Sequence, residues 1–475
     1  MAGSNASSGG KRGETKFHGL IDGGGWGTKK KGDDAPDNSM PEHIGIDTKD
    51  NVLTVEGHSC ITLAEMYGTP LFVISENAIR HNYRKFYNAF KSRYPAEVVV
   101  CVGMKSNFGL AVRRIIALEG GGGDVFGEGE LYVALLAGTD PKKIVVNGVN
   151  KPNEVLLATV QRGVHINVDS LDELERLNEI AAKLGKVAGV SLRIRLPLSE
   201  LRGKALIADS RYPPPGIDMV EWETEFKFGM EPASFFEAMK QALTMKNINL
   251  KGVMYHGGLP RRARYYKEET EDFMNYVGEA KKRFNWEPEM INLGGGFSPK
   301  RFGYKELPPT PDEYAEAITS VIKEKCKEYS LSVPRLLLEP GRWCLENTTI
   351  YLARVGSIKE DSTLAKEKWV YVDGNVNHLI GGADIYMNYH YVIIANRADA
   401  LVKEVADICG QLCGAGDILA KSREIPKVEC GDILAFLDTG AYCESHAKQS
   451  NAVPRPASVL VNKDSVAIAR ERETN

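Results

Sequence analysis

The stretch VVVCVGMKSN, residues 98–107, joins an apolar run to a lysine. Every residue before Lys105 in this stretch is apolar or glycine, which is typical of a strand buried on both faces of a parallel sheet. A lysine at the end of such a strand is most often a solvated surface group. Its significance depends on the residues at the ends of the other strands.

Further apolar runs follow and alternate with amphipathic helical patterns. One helical pattern, SLDELERLNEIAAKLG, begins with a capping box, Ser170 and Glu173, and ends at a glycine. Eight βα repeats in about 250 residues predict an α/β fold, a closed (β/α)8 TIM-like barrel. The alternative, an open doubly wound sheet, favours a G-x-G-x-x-G turn after its first strand, and the sequence has none there. The other strand candidates are DVFG (124–127), KIVVNG (143–148), HINVDS (165–170), VSLRIRL (190–196), GVMYHGG (252–258), MINLGGG (290–296) and RLLLEPG (335–341).

The pattern changes beyond residue 345, where short strands and turn residues replace helical periods. The stretches WVYVDGNVN, YHYVIIANR, EVADICGQL, DILAFLDTGAY and SVLVNKDSVAIAR predict a second, all-β domain, a barrel or a sandwich. The strand-like NVLTVEGHSCITL (51–63) precedes the barrel and can pair with that domain. The predicted organisation is a disordered tail over 1–40, an N-terminal strand segment over 41–70, the barrel over 71–343 and the C-terminal β domain over 344–475.

Composition excludes several classes of protein. The formal net charge is −3 at pH 7, which predicts neither a nucleic-acid-binding face nor a cationic membrane helix. No apolar run reaches the ~20 residues of a membrane span, and no signal-peptide core is present. The eight cysteines show no C-x-x-C pair and no metal-ligand spacing. They predict reduced thiols in a cytoplasmic protein with no metal site.

Glycines and reactive side chains stand at the ends of several predicted strands. Because barrel enzymes place their chemistry at the carboxyl ends of strands, we expect these residues to converge on one face. The candidate residues at these strand ends are Lys105, His256, Gly257, Gly258, Gly294, Gly295, Gly296, Glu339, Gly341 and Arg342. The set matches what pyridoxal 5'-phosphate needs: an amine to form an imine with its aldehyde, glycine amides near its phosphate, a planar ring against its face and a carboxylate at its pyridine nitrogen. Burial is expected to lower the pKa of the candidate amine, Lys105.

The order of motifs resembles the fold-type III pyridoxal-phosphate decarboxylases of diaminopimelate, ornithine and arginine. The resemblance to diaminopimelate decarboxylase is strongest and runs from about residue 45 to 465. The motifs that carry it are GMKSN, GGGDVFGEGEL, INVDSLDEL, KFGM, YHGG, INLGGGF, LLEPGR, VDGNVNHLI, QLCGAGD and DTGAY…NAVPRPASVLV. Any one of these motifs is weakly specific, whereas all of them in this order are highly specific.

The resemblance implies a role for each matching residue. Lys105 matches the lysine that holds the cofactor, His256 the histidine stacked on its ring, and Glu339 the acid at the pyridine nitrogen. Gly258 and Gly341 match cofactor-binding glycines, and Gly294, Gly295 and Gly296 match the phosphate loop. Arg342 matches an arginine that contacts phosphate or substrate, and Tyr442 a tyrosine near the phosphate. Cys413 matches a cysteine that a neighbouring subunit supplies as a proton donor, which implies a homodimer with shared active sites; Gly414 follows it at the substrate end.

The sequence departs from the family pattern where the far end of the substrate is recognised. The family has an acid after the cysteine, and this chain has Gly414; the family arginine in an LIRP-like segment is absent from Leu-Ile-Gly-Gly (379–382). A hydrogen bond to a charged group is worth about 1.5–3 kcal/mol, so losing two would strongly weaken the binding of diaminopimelate. We expect an amino-acid substrate of specialised metabolism with a neutral or bulky distal part. A family serine is replaced by Leu259, and residues 197–226 have the length of a lid.

Other functions remain as alternatives. Diaminopimelate decarboxylase activity that yields lysine is the first, and a racemase, stereo-inverting or oxidative enzyme on the same scaffold is the second. In alanine racemases an arginine faces the cofactor nitrogen, so Glu339 argues against that reaction. A third alternative, a catalytically inactive protein that binds a partner, predicts damage at the lysine, histidine, glutamate or cysteine position, and all four are intact.

Overall fold

The computed structural model describes residues 40–197, 227–257, 263–302, 308–360, 368–379 and 390–474. The predicted tail over 1–40 therefore lies outside the described residues except for Met40. The same is true of the 197–226 stretch except for Pro197. No helix in the described ranges is long and apolar enough to cross a membrane.

Eight parallel strands form a closed barrel, as the sequence predicts. The barrel closes where the last strand pairs with the first, with Leu336 opposite Val98 and Leu338 opposite Val100. All eight coincide with a predicted apolar run, which confirms the fold class. The strands are β5 (Val98–Gly103), β6 (Gly122–Val125), β7 (Ile144–Val146), β8 (His165–Val168), β9 (Ala188–Arg193), β10 (Ile248–Met254), β11 (Met290–Asn292) and β12 (Arg335–Leu338).

The barrel helices pack their apolar stripes on the outside of these strands. The Ser170 hydroxyl accepts a hydrogen bond from the Glu173 amide, as predicted. The expected reciprocal bond is not made, because the Glu173 carboxylate accepts from the Asp169 amide and from Lys151 Nζ instead. The α-helices of the described residues, of which α1 and α11 lie outside the barrel, are α1 (Cys60–Tyr67), α2 (Glu76–Lys91), α3 (Leu110–Leu118), α4 (Glu128–Leu136), α5 (Asn153–Arg162), α6 (Leu171–Lys183), α7 (Pro232–Ala242), α8 (Ala263–Phe284), α9 (Pro311–Glu328), α10 (Gly341–Leu345) and α11 (Val376–Leu379).

A second sheet is built mainly from the C-terminal part of the chain. Its strands are β4 (Leu71–Ser75), β13 (Thr349–Glu360), β14 (Lys368–Val372), β15 (Val392–Ile394), β16 (Glu404–Cys409), β17 (Ile418–Ile425), β18 (Ile433–Phe436), β19 (Ala457–Asn462) and β20 (Ser465–Arg470). The sheet order is β17-β16-β14-β13-β4-β19-β20, and β18 pairs with both β13 and β15. This arrangement confirms the predicted all-β second unit.

The N-terminal segment joins this second unit in an unexpected way. Strand β4, which the sequence analysis assigned to the barrel, pairs with β13 and β19, and its five residues are all buried. The segment expected to pair forms its own small sheet of β1 (Ile44–Asp47), β2 (Val52–Val55) and β3 (His58–Ser59). That small sheet packs Leu53 and Val55 into one core with residues of β13 and β19. The domain boundaries themselves stay predictions.

The two units meet at the turn that carries Lys105. The backbone amide of Tyr442 donates to the carbonyl of Ser106 at 2.7 Å, and the Ser445 hydroxyl donates to the carbonyl of Lys105 at 2.8 Å. The loop after β18 therefore holds the backbone at the end of β5. All eight cysteines are free; a cytoplasmic location stays a prediction.

Candidate active site

Lys105 lies in the short turn Met104–Ser106 directly after β5. Its Nζ is 3.4 Å from Oδ2 of Asp124, at the end of the neighbouring strand β6. Nζ also lies 4.9 Å from the centre of the Phe126 ring. The side chain is 38% exposed, so the amine is anchored beside a buried acid and is still accessible to a small molecule.

The pKa of Lys105 is raised above its usual value, which contradicts the expectation from the sequence. Burial does oppose the charge, but the carboxylate of Asp124, then Tyr442 and Glu339, favour it more strongly. The expectation considered desolvation alone, whereas the structure places two acids near the amine. Without the cofactor, Lys105 is therefore a protonated partner of Asp124.

A buried arginine, Arg113, binds the backbone of the turn that carries Lys105. The Arg113 guanidinium on α3 donates to backbone carbonyls on both sides of Lys105, with Nε bound to Asn107 O at 2.5 Å and Nη1 to Val102 O at 2.9 Å. Nη2 reaches the carbonyls of Gly103 and Met104. Because one buried guanidinium binds four backbone carbonyls between Val102 and Asn107, Arg113 holds the backbone that carries the lysine in place. The sequence analysis did not identify it.

Glu339 follows β12 and is buried inside the barrel. One of its oxygens, Oε1, accepts two hydrogen bonds, from Asn147 Nδ2 at 2.9 Å and from Asn292 Nδ2 at 2.7 Å. The other oxygen, Oε2, is buried and has no hydrogen-bond partner among the described residues. Burial and then the nearby Asp124 raise the pKa of Glu339 to about 7, although Lys105 and the two amides oppose the shift.

The glycines after β11 bring the backbone close to two other candidates. Gly294 and Gly296 have positive φ angles of 64° and 93°, a region that favours glycine. A Cβ on Gly294 would lie 2.6 Å from Cγ of His256, and one on Gly295 would lie 2.5 Å from the carbonyl oxygen of Glu339. Only glycine lets this loop pack directly on the imidazole and on the end of β12.

Arg342 and Tyr442 lie together beside the turn that carries Lys105. The Arg342 guanidinium is 4.7 Å from the Tyr442 ring centre, a cation–π contact. Its Nη1 donates to Glu346 Oε1 at 2.6 Å, and Arg301 donates to the same oxygen at 2.6 Å. The short helix α10 begins at Gly341, where a Cβ would lie 3.0 Å from the Ser106 hydroxyl. The structure thus brings Arg342, Gly341 and Tyr442 to the lysine turn.

Cys413 and Gly414 lie elsewhere, in the loop between β16 and β17. Cys413 is exposed, and its backbone amide and sulfur both contact the side chain of Asn451. In the described ranges no contact joins Cys413 to Lys105 or Glu339 within one chain. Gly258 and Leu259 lie outside the described residues, as do residues 380–382 of the Leu-Ile-Gly-Gly segment.

Several polar residues inside the barrel were missed from the sequence. Asp124 is the last residue but one of β6, Asn147 directly follows β7 and Asn292 ends β11, and all three are buried. Arg193 ends β9; its guanidinium lies 4.7 Å from the Phe228 ring, and burial lowers its pKa. The sequence did contain a signal for these residues, namely a single polar residue within or next to an apolar strand. Such a residue, once buried, must find a hydrogen-bond partner inside the barrel.

The sequence that forms this site matches a protein-family model. The model described as "Pyridoxal-dependent decarboxylase, pyridoxal binding domain" covers residues 77–346, more than half of the chain. The chain belongs to the pyridoxal-dependent decarboxylase family. Membership in the pyridoxal-dependent decarboxylases confirms the predicted cofactor, pyridoxal phosphate, and the predicted reaction class, decarboxylation of an amino acid.

Individual pyridoxal-dependent decarboxylases match nearly the whole chain. Diaminopimelate decarboxylase from Methanocaldococcus jannaschii is 36% identical over 90% of this chain and 94% of its own length. The crystal structure of the M. jannaschii enzyme superposes with a TM-score of 0.83 at 35% identity, covering 91% of this chain and 95% of the other. Diaminopimelate decarboxylase from Archaeoglobus fulgidus is 33% identical over 90% of this chain and 96% of its length.

The residues of this site fit the cofactor of the family. The buried oxygen Glu339 Oε2 has no partner in the described part of the chain, and a protonated pyridine nitrogen would satisfy it. The backbone at Gly294 and Gly295 leaves no room for a Cβ, and Gly296 has a positive φ angle, so this loop consists of bare backbone that a phosphate can approach closely. Lys105 presents a primary amine that is anchored yet accessible. Packing against His256 and Glu339 accounts for the glycines, whereas it does not account for the unpartnered Glu339 Oε2 or for the accessible amine of Lys105.

Proposed function

We propose that the protein decarboxylates an amino acid whose distal end lacks the charged head of diaminopimelate, a substrate of specialised metabolism. The observation that carries this proposal is the setting of Gly414. No atom lies within 4 Å of the position that a Cβ would occupy there, and its φ is outside the positive range. Neither space nor backbone conformation requires glycine, so the fold would accept the acid that the family pattern has. Its absence therefore supports a different substrate.

The proposed roles of the chain's own residues rest on their positions and, for Gly258, which lies outside the described residues, on its match to the family motif. Bound pyridoxal phosphate supplies an electron sink when a bond at the substrate Cα breaks. Lys105 Nζ would hold the cofactor and would carry a proton when free. Glu339 Oε2 would accept the hydrogen bond of the ring nitrogen and would favour its protonated form. The Gly294–Gly296 backbone and Arg342 would bind the phosphate, together with the Gly258 and Gly341 backbone and Tyr442.

The remaining roles concern the ring face and the substrate. His256, packed on Gly294, supports the face of the cofactor ring. Arg342 and Tyr442 also face the substrate, whose α-carboxylate leaves as CO2. Cys413 Sγ would donate a proton to the substrate carbon, and Gly414, with no atom within 4 Å of its Cβ position, would leave space at the distal end. General acid catalysis by such a group typically contributes about 10²–10⁴-fold to the rate.

Turnover of a substrate panel tests the proposed specificity. We expect CO2 release from amino acids with neutral side-chain ends to exceed that from meso-diaminopimelate. The variant Gly414→Glu should raise kcat/KM for meso-diaminopimelate by about 10–100-fold, because it restores one charged hydrogen bond. Gly416→Glu is the matched control, since its Cβ position is equally open.

Diaminopimelate decarboxylation is the second candidate function. It is favoured by the names of the relatives, including those from M. jannaschii and A. fulgidus. The same assay decides between the two. A kcat/KM for meso-diaminopimelate above about 10⁴ M⁻¹ s⁻¹, exceeding that of every neutral substrate, would establish the second candidate and refute the first.

We also propose a homodimer in which Cys413 of each chain completes the site of the other. Exposure of Cys413 and its lack of a described contact with Lys105 support this arrangement. Mixing inactive Lys105→Ala and Cys413→Ala chains should restore about a quarter of the native activity, because half of the dimers are hybrids and each hybrid has one intact site.

A second mixture controls this complementation experiment. Lys105→Ala combined with Glu339→Gln should recover nothing, because both residues lie in one barrel and every hybrid site is damaged. No recovery with Cys413→Ala, despite hybrid dimers detected by native mass spectrometry, would contradict the shared site.

A further inference from the structure

One buried amide lies between two buried acids of the barrel. Asn147 directly follows β7, and its Nδ2 donates to Asp124 Oδ1 at 2.7 Å and to Glu339 Oε1 at 2.9 Å. All three side chains are almost completely buried. A single NH2 group thus uses both of its hydrogens on two different carboxylates.

The hydrogen-bond network determines the orientation of this amide. Asn147 Oδ1 accepts from Asn167 Nδ2 at 2.9 Å. The opposite orientation would place a carbonyl oxygen against two carboxylates and would leave the Asn167 amide facing another NH2 group. Asn147 therefore acts as a donor to both acids.

The amide opposes a like-charge repulsion. Asp124 raises the pKa of Glu339 after burial itself, and the hydrogen bonds of Asn292 and Asn147 lower it. Asn292 also uses its carbonyl to accept from the Gly294 amide at 2.9 Å, so it touches Glu339 but not Asp124. Asn147 alone of these two amides contacts both acids. The other titratable groups that act on Glu339 or are affected by it are Lys105, Arg193 and Cys101.

We infer that Asn147 is a positioning residue that holds the carboxylates of Asp124 and Glu339 side by side and occupies Oε1, so that Oε2 of Glu339 is the acceptor left for the cofactor nitrogen. This inference rests on the proposed role of Glu339. Asn147 touches no reacting atom and acts through the two acids. The side chain of Asn147 thereby links two site residues: it binds Glu339 directly, and it binds Asp124, which in turn contacts Lys105 Nζ.

Infrared titration of the full-length chain freed of cofactor tests this inference. The Glu339 carboxyl band is assigned by its loss in Glu339→Gln. We expect a midpoint near 7 in the native chain and a midpoint about one pH unit higher in Asn147→Leu, because one charge-assisted hydrogen bond is lost. The matched control is Asn82→Leu: Asn82 is also buried and donates to Cys344 O and Asn347 Oδ1, not to a carboxylate.

A second variant pair tests the bridge itself. Asp124→Asn should lower the Glu339 midpoint by about half a pH unit more in the Asn147→Leu chain than in the native chain, because the repulsion is then unshielded. If Asn147→Leu does not fold, Asn147→Ser, which is too short to reach both acids, takes its place.

Three results would overturn the inference. They are an unchanged midpoint in a folded Asn147 variant, an equal rise in Asn82→Leu, and equal effects of Asp124→Asn in both backgrounds. Failure of the proposed role of Glu339 is recognised separately, since it appears as undiminished CO2 release by the Glu339→Gln chain loaded with cofactor and leaves the titration unaffected.

Discussion

Lys105→Ala is expected to abolish covalent attachment of the cofactor and to lower kcat by about a thousandfold or more. The reason is the setting of Nζ, which is anchored 3.4 Å from Asp124 and remains accessible. The neighbouring buried amine cannot replace it. Lys151 Nζ is fully engaged by the carbonyls of Gly148 and Asn167 and by Glu173 at 2.6 Å.

Borohydride reduction followed by peptide mass spectrometry measures this attachment directly. The native chain should carry the cofactor mass on the peptide that contains Lys105. Lys251→Ala is the matched control, because the Lys251 side chain is also 38% exposed and pairs with a single acid, Glu289. Cofactor found on Lys151 of the Lys105→Ala chain, with activity retained, would refute the assignment.

The barrel was predictable because its strands are buried on both faces. Such strands read as continuous apolar runs, and a closed parallel sheet buries all of them in the same way. The apolar run VVVCVG before Lys105 therefore predicts a strand locally, and it also predicts that the sheet containing this strand is covered on both faces. Each predicted run coincides with a strand of the closed barrel.

Pairing between distant strands was less predictable. The sequence of β4 followed by α2 has the same strand–helix pattern as a barrel repeat, yet β4 pairs with β13 and β19. A mostly apolar strand such as β4 would be buried in the barrel as well as in the second sheet, so local composition does not distinguish the two sheets. The partners lie far away in the sequence, and only the assembled fold determines the choice.

The reactive residues at strand ends were identified, but their electrostatics were not. Desolvation of Lys105 was anticipated, whereas the two acids that reverse its effect on the pKa were not. Asp124 and Asn147 were visible in the quoted strands as isolated polar residues. Their significance comes from contacts between strands that are not adjacent in sequence, such as the bond from Asn147 to Glu339.

Glu339→Gln is expected to lower kcat by about 10²–10⁴-fold, because a neutral amide does not favour a protonated ring nitrogen. The same substitution should change the pH dependence of stability in the cofactor-free chain. The pKa of Glu339 is raised from 4.5 to about 7 in the folded protein. Between these pH values the folded state retains a proton that the unfolded state has released, so native stability falls as pH rises.

The Glu339→Gln variant does not have this pH-dependent loss of stability. The difference in free energy of unfolding, variant minus native, should therefore rise by up to about 3 kcal/mol from pH 4 to pH 8. Urea unfolding across this range measures the difference. Glu346→Gln is a control of opposite sign: burial disfavours its charge, but Arg301 and Arg342 outweigh burial and lower the pKa of Glu346. Its stability deficit should therefore grow as pH rises from the acid range. Parallel pH profiles for the two variants would contradict the assignment of Glu339 as the acid held with a raised pKa.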